Sequence, residues 1–310
     1  MHRFAKFVLV CAKKEKENQL RGLCLALLLP SIALPQKLKV YISVDMEGIG
    51  GVVSDQQLGP TGFEYARFRE FMTSEALAAV QGAKEAGATE IVISDSHGNM
   101  QNLLIERFPA DVTIIRSSPR PLAMMEGIDS TFDAAIFIGY HSGTQNPQGV
   151  RAHTMSSARF AAIDLNGAPA PESRVNAAIA GHFGVPVVMI SGDDIATAEL
   201  KAVLGDVETA AVKRAIGFHA AAVRPPEASQ ALIKEKVRAG LQRRTAFKPY
   251  VIRNPILDIT FKSYRPAEIL AYLPIVERTT AHTVRYRART ILDAIRFLVF
   301  VGNYSVELEP

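Results

Sequence analysis

Apolar stretches of strand length alternate with stretches of helical periodicity along most of the chain. The strand-like runs are rich in β-branched side chains and bounded by turn residues. They are LKVYISV (38–44), TEIVIS (89–94), VTIIR (112–116), DAAIFIGY (133–140) and VPVVMIS (185–191). Helical patterns follow at residues 63–87, 172–184 and 193–204. This alternation predicts an α/β protein, with a mostly parallel sheet and helices on both faces.

Small residues mark the ends of two predicted elements. Phe68 and Met72 belong to a helical repeat of apolar residues, and Gly87 is a typical stop for that helix. Asn166 and Gly167 can supply the two positive φ angles of a tight turn, and apolar residues flank them. We therefore predict a β-hairpin around this pair.

The last third of the chain differs in pattern and in charge. A charged helical segment at 227–244 leads into mixed strand and helix patterns, without regular alternation. Residues 37–213 carry 13 basic and 21 acidic side chains, whereas residues 214–310 carry 16 and 8. We therefore predict an α/β domain over 37–215 and a smaller C-terminal α+β domain over 216–310.

The net charge of +4 does not indicate a nucleic-acid partner. It is the sum of acidic and basic segments, and the basic residues of the last third are interleaved with apolar ones, as in TVRYRARTILDAIRF. That pattern is typical of a solvated face or a docking surface. We expect no nucleic acid to bind.

Residues 1–36 have the features of a leader segment. A basic region precedes an apolar stretch, and Ser31 and Ala33 fit the rule for a signal-peptidase site before Leu34. The stretch is too short for a spanning helix, so we expect no stable membrane span. We expect an exported or periplasmic protein if this leader is cleaved, and a cytoplasmic one otherwise. Both cysteines lie here, so cleavage would leave no thiolate for a disulfide or a metal.

Two acids come directly after the first predicted strand. Asp45 and Glu47 are two residues apart, so in an extended chain they face the same side. The glycines after them, in EGIGG, do not form the GxGxxG pattern of a dinucleotide site. The acids themselves therefore become the candidate chemistry.

Other acids and histidines also follow predicted strands. Asp95 and His97 come after the second strand, His141 follows DAAIFIGY, and His153 and Glu172 come later. Ligand sites of open α/β sheets form at the carboxyl ends of the strands. Carboxylates and imidazoles without thiols suit Zn²⁺ and neighbouring transition metals, and a pair of such cations can activate a water.

Each of these residues also has a structural explanation when it is taken alone. Asp45 and Glu47 can bind backbone amides in a glycine turn, and Glu172 can complement a helix dipole. His97 can be an ordinary loop histidine, and His141 a buried histidine with a backbone partner. Their coincidence at strand ends favours one shared site.

The chain further contains several sequence blocks that occur together in one enzyme family. These are SVDMEGIGG, SDSHGNMQNL, EGIDSTFDAAIFIGYH, AHTM, PESRVNAAIAGHFGVPVVMISGDD and TAAVKRAI. In this order, over most of residues 37–215, they resemble the zinc-dependent D-aminopeptidases of peptidase family M55.

That resemblance implies an aminopeptidase acting on short peptides with an N-terminal D-residue, such as D-Ala-D-Ala. It implies two Zn²⁺ ions, with Mn²⁺ or Co²⁺ able to use the same ligands, and a homo-oligomer. His153 takes the family's catalytic position. The implied metal ligands are Asp45, Glu47, His97, His141 and Glu172. The block around Glu172 departs from the family pattern, which leaves substrate preference open.

The expected mechanism divides the ligands between two cations. Asp45 bridges them, Glu47 and His141 complete one side, and His97 and Glu172 the other. An activated water attacks the peptide carbonyl, while the catalytic histidine donates a proton or holds the oxyanion.

Several roles stay open at this point. Asp95 can orient a ligating histidine, and Asn176 can reach the substrate from its helix. Arg151 and Arg159 keep a two-metal phosphoesterase as an alternative, because phosphoryl transfer uses similar ligands together with basic residues. A non-catalytic metal-binding scaffold is the other alternative.

Overall fold

The computed structural model describes residues 37–304, so the predicted leader lies outside the described residues. Within this range the chain forms twelve strands and six α-helices. The strands are β1 (Lys39–Val44), β2 (Glu90–Asp95), β3 (Val112–Ile115), β4 (Ala134–Tyr140), β5 (Phe160–Leu165), β6 (Ala168–Pro169), β7 (Val187–Asp193), β8 (Glu208–Gly217), β9 (Ala220–Val223), β10 (Ile256–Phe261), β11 (Val276–Arg278) and β12 (Thr283–Arg287). The helices are α1 (Tyr65–Glu85), α2 (Glu172–His182), α3 (Asp194–Leu204), α4 (Pro226–Gln242), α5 (Tyr264–Leu270) and α6 (Ile291–Asn303). None of these helices is both long and apolar enough to cross a bilayer.

The first sheet has seven strands in the order β3-β2-β1-β4-β7-β8-β9. All neighbouring strands in it are parallel except β8 and β9. In the register, Val44 at the end of β1 pairs with Asp95 of β2 and with Ile138 of β4. The loops that follow β1, β2 and β4 therefore leave the sheet at the same edge.

Side chains alternate between the two faces of this sheet, and each face is covered. Val40, Ile42 and Val44 of β1 pack with apolar residues of α1 and α4. Tyr41 points to the opposite face, where the core includes α2, α6 and the second sheet. Burial on both faces explains the nearly continuous apolar runs in the sequence. The predicted mostly parallel α/β fold is confirmed.

The second sheet is antiparallel, with the order β11-β12-β10-β5-β6. Its predicted hairpin is present, since β5 and β6 pair across Asn166 and Gly167, which have φ angles of 52° and 74°. β5 also pairs with β10, which lies 90 or more residues further along the chain. The sheet thus combines strands from both sides of residue 216, a position that itself lies within β8. The division into two domains at this position stays a prediction.

Candidate metal centre

The loops that follow β1 and β4 lie directly against each other. The N–H of Asp45 donates to the carbonyl of Ile138 at 2.8 Å, and the N–H of Gly48 donates to that of Gly139 at 2.7 Å. A Cβ on Gly48 would lie 2.0 Å from the carbonyl oxygen of Tyr140, so only glycine fits there. This close approach brings the acids after β1 beside the histidine after β4.

All six residues predicted for the site line one cavity of about 130 Å³. They come from the ends of three adjacent strands, from the loop before β5 and from the first turn of α2. Five are buried, and the sixth is half-buried. The six are Asp45, Glu47, His97, His141, His153 and Glu172.

Three groups of side-chain atoms could each hold a metal ion, and two of them share Asp45. In the first group, His97 Nδ1 lies 3.4 Å from Asp45 Oδ1 and 2.9 Å from Glu47 Oε2. In the second group, His141 Nε2 lies 3.4 Å from Asp45 Oδ2 and 3.5 Å from Glu172 Oε2. The third group joins Glu47 and His141 with His153. It contains the pair that was expected on one side, so the division of the ligands between two cations stays a prediction.

Backbone carbonyls fix the ring orientation of the two histidines in the first two groups. His97 Nε2 donates to the carbonyl of Leu58 at 2.7 Å, and His141 Nδ1 donates to that of Ser142 at 2.9 Å. A carbonyl oxygen only accepts, so the proton is on those nitrogens and the opposite ring nitrogen faces the carboxylates. Metal-binding histidines are usually held in this way.

His153 is also oriented by a hydrogen bond to a backbone carbonyl, but it lies further from the carboxylates. Its Nδ1 donates to the carbonyl of Arg151 at 2.9 Å. Its Nε2 lies 3.9 Å from Glu47 Oε1 and 4.0 Å from Glu172 Oε1. Its ring stacks on that of His141, with centroids 4.1 Å apart. Burial, together with the charge of His141, lowers the pKa of His153.

The electrostatics of the cavity favour a bound cation. Burial and then the charge of Glu47 raise the pKa of Asp45 to about 8. Burial lowers the pKa of His97 and His141, but the adjacent carboxylates outweigh it and raise both well above the ordinary value. Within residues 37–304, Asp45 Oδ2 is buried and accepts no hydrogen bond. Buried carboxylates with a spare oxygen, flanked by oriented imidazoles, fit a divalent metal such as Zn²⁺.

Asp95 supports the site through the loop that follows β2. Its carboxylate accepts from the backbone N–H groups of Asn102 and Leu103, and the side-chain amide of Asn102 donates to the carbonyl of His97 at 2.7 Å. Asp95 thus reaches His97 through Asn102 and the loop backbone, and its expected role in orienting this histidine stays a prediction. A strand-end acid satisfies the loop backbone here, as Asx turns do.

Asn176 does not reach the cavity surface either. It is fully buried, and its side-chain amide donates to the hydroxyl of Tyr140 at 2.9 Å. That hydroxyl donates in turn to Ser43 Oγ at 2.7 Å. Asn176 therefore belongs to a buried polar network, and the expectation of substrate contact is wrong.

Several residues of the site were not predicted from the sequence. Met100, Met124 and Met155 line the cavity beside the ligands. Met100 and Met155 have φ angles of 58° and 61°, which are uncommon for residues other than glycine and cluster at functional sites. The N–H of Met155 donates to Glu172 Oε1 at 2.7 Å. The roles of these thioethers and of the Leu58 carbonyl could not be predicted from residue type, because they depend on the path of the loops.

Comparison with known proteins places this arrangement in a family. Residues 38–300 match the Peptidase M55 family, described as D-aminopeptidase. A D-aminopeptidase of Bacillus subtilis (strain 168) is 36% identical over 271 residues, which cover 87% of this chain and 98% of the relative. A solved structure, described as "Zn-dependent D-aminopeptidase DppA from Bacillus subtilis, a self-compartmentalizing protease", superposes with a TM-score of 0.82 at 35% identity. It covers 87% of this chain and 100% of its own. The chain therefore belongs to the peptidase M55 family of D-aminopeptidases.

Proposed function

We propose that this protein is a two-zinc aminopeptidase that removes an N-terminal D-residue, of the D-alanine kind, from short peptides. One observation carries the proposal: Asp45 gives one carboxylate oxygen to each of two groups of ligand atoms. A carboxylate in that position is suited to bridge two cations. Family membership and the zinc dependence named for the solved relative support the choice of chemistry and metal.

The residues present fit two zinc ions. Glu47 and His97 would complete one site, His141 and Glu172 would complete the other, and Asp45 would belong to both. When bound, zinc acts as a Lewis acid on the peptide carbonyl and lowers the pKa of a coordinated water. Mn²⁺ and Co²⁺ accept the same nitrogen and oxygen ligands, so they are alternatives for the same site.

His153 would transfer the proton of the reaction and stabilise the negative charge that develops on the peptide carbonyl oxygen. Its Nδ1 proton is engaged with a backbone carbonyl, so Nε2 is the nitrogen that faces the cavity. It lies 3.9 Å or more from the carboxylates of both ligand groups. From there Nε2 can accept the proton that the attacking water loses, and the resulting imidazolium can pass it to the departing amine or donate it to the oxyanion as a hydrogen bond.

The size and lining of the cavity support a small N-terminal residue. About 130 Å³ of space lies beside the ligands, and three methionine side chains form its apolar wall. A peptide that presents one small residue suits this space better than a bulky side chain does. The preference for the D-configuration is taken from the family.

The phosphoesterase alternative is weaker because its basic residues are engaged elsewhere. Arg151 pairs with Asp55 and lies over the ring of Phe218, with its guanidinium carbon 4.7 Å from the centroid. Arg159 donates to the carbonyl of Gly302. In the described part of the chain, neither arginine lines the cavity that holds the ligands.

One assay on the purified protein separates these functions. The protein is measured with and without added zinc on D-Ala-D-Ala, L-Ala-L-Ala and a generic phosphomonoester, and its metal content is determined in parallel. We expect about two zinc ions per chain and turnover of D-Ala-D-Ala alone. Turnover of the phosphomonoester would assign a phosphoesterase, and metal binding with no turnover would assign a scaffold.

We further infer a homo-oligomer, since the solved relative is described as self-compartmentalizing. Exposed apolar side chains at Ile269, Tyr272 and Ile275 are compatible with contacts between copies. Sedimentation of the purified protein tests this inference. The location of the protein also stays a proposal, and sequencing the N-terminus of the protein from its native cells would show whether cleavage precedes Leu34.

A further inference from the structure

A lysine lies buried behind the loop that carries Glu47. Lys213 is on β8, and only 2% of its surface is exposed. Its ammonium donates to three backbone carbonyls, those of Glu47, Ile49 and Val52; the last two bonds measure 3.1 and 2.7 Å. All three N–H donors of Lys213 therefore go to one six-residue loop.

A buried ammonium is costly, so its location needs a physical reason. Removal of a charge from water costs several kcal/mol unless partners compensate, and in the described part of the chain Lys213 makes no salt bridge to offset this. Burial lowers its pKa to about 8, although Asp193 and Glu75 oppose the shift. The compensation comes from the three carbonyls and from the negative charge of the surrounding acids.

The loop itself needs these donors. It leaves β1 at the two acids and turns back on itself, with the N–H of Ile49 donating to the carbonyl of Met46 and that of Val52 to Ile49. On another side, the N–H of Gly50 donates to Glu75 Oε1 of α1 at 2.9 Å. The chain around Glu47 is thus held by α1 and by the ammonium on β8.

We infer that Lys213 is a positioning residue for the metal centre: by binding the carbonyls of Glu47, Ile49 and Val52, it fixes the loop that presents the Glu47 carboxylate. Lys213 has no donor left for a substrate, so it is not a catalytic residue. The inference rests on the proposed zinc site and extends it to a residue 166 positions away in the sequence.

Lys213→Met tests this inference, because methionine has a similar length and no donor. Zinc affinity is measured by competition with a chromophoric chelator, and kcat and KM on D-Ala-D-Ala are measured at saturating zinc. Loss of a group that supports a ligand typically costs 10–100-fold in metal affinity, and we expect a rise of that size in the zinc Kd. We also expect kcat to fall more than KM changes, since Glu47 would be misplaced even with zinc bound.

Val237→Ala is the matched control. Val237 is buried where α4 packs against Gly82 of α1, and it makes none of these hydrogen bonds. The Val237→Ala variant should have a lower thermal stability than wild type, with an unchanged zinc Kd and kcat. A merely structural role for Lys213 would give the same result for Lys213→Met, namely a lower Tm with wild-type zinc Kd and kcat, and would overturn the inference.

Lys213→Gln covers the case in which the methionine variant does not fold. Glutamine keeps two donors, so we expect a zinc Kd between those of wild type and Lys213→Met. If neither variant folds at saturating zinc, the lysine serves the fold and the inference is overturned. Failure of the wild-type protein to bind zinc would instead refute the proposed function, so the two outcomes are distinct.

Discussion

Different tasks are proposed for the six side chains of the cavity, and single substitutions can test them separately. His97 and His141 lie within 3.5 Å of carboxylates from the two ligand groups, whereas Nε2 of His153 lies at 3.9 Å or more. The distances place His153 beside the ligands without making it equivalent to them. Metal content and turnover should therefore respond differently at these positions.

His153→Ala should keep the zinc content of the wild-type protein and lose most turnover. Removal of a group that transfers a proton in the transition state typically costs 10²–10⁴-fold in rate, and we expect a fall in kcat of that size. Metal analysis and steady-state kinetics check the prediction. His97→Ala should lose zinc as well as activity, and His182→Ala, at an exposed position, should lose neither. Full activity of the His153 variant would contradict the assigned role.

Met155→Ala should widen the range of N-terminal residues that are accepted. The side chain lines the cavity, so its truncation makes room for a larger substrate side chain. One methylene group in an apolar pocket is worth about 10–200-fold in discrimination, and we expect kcat/KM for a D-Leu peptide to rise relative to D-Ala by roughly 10-fold. Met72→Ala, on the buried face of α1, should reduce stability without changing that ratio.

Residue types at the ends of three strands were sufficient to predict that Asp45, Glu47, His97 and His141 meet, whereas the roles of His153 and Glu172 came from the family resemblance. Acids and imidazoles are expensive to bury unless they pair with one another or bind a metal, so their recurrence after three strands was informative. The supporting groups were not predictable in that way. Their roles depend on where the fold places Lys213, Met100 and the carbonyl of Leu58. No local sequence pattern distinguishes these residues from other lysines, methionines and leucines.

At the scale of elements, a hydrogen bond to a buried acid of α1 connects this helix to the loop that follows β1. Glu75 is 2% exposed and accepts from the N–H of Gly50. Burial raises the pKa of Glu75 to about 7, although the Gly50 hydrogen bond and Lys213 oppose the shift. A carboxyl whose pKa is raised by folding stabilises the fold at low pH, and this contribution is lost as the pH rises through about 7.

Glu75→Gln should therefore weaken the pH dependence of stability. Glutamine can accept the same hydrogen bond but does not ionise. Between about pH 5.5 and 8.5, we expect the free energy of unfolding of the variant to fall by about 2 kcal/mol less than that of wild type. Urea unfolding at the two pH values measures the difference. Glu85→Gln, at a partly exposed position of α1, should follow the wild-type curve.

Strands and helices with strong local patterns were predicted, and those that depend on distant partners were not. α1, α2, α3 and the five apolar strands lie where the sequence placed them. β8 was not predicted, because the buried Lys213 interrupts its apolar run. The pairing of β5 with β10 was also not predicted, since register between strands so far apart is set by tertiary packing.

For the whole molecule, metal binding and stability should be linked. Three buried carboxylates share one cavity, and any ligand that binds only the folded state stabilises it by mass action. At a zinc concentration 100 times the Kd, the gain is about 2.7 kcal/mol, and we expect Tm to rise by roughly 5–10 °C. Scanning calorimetry with zinc and with a chelator tests this. His97→Ala should show little of the rise, and an equal rise in that variant would place the stabilising metal elsewhere.

The carbonyl anchors of the three histidines have a consequence for how such enzymes diverge. Leu58, Ser142 and Arg151 each contribute a backbone oxygen that every amino acid possesses. The imidazole tautomers therefore depend on the path of the backbone at these positions and not on the hydrogen-bonding capacity of the side chains there. An insertion or deletion in the same loops would move the oxygen and abolish activity, even though every catalytic side chain is inherited unchanged.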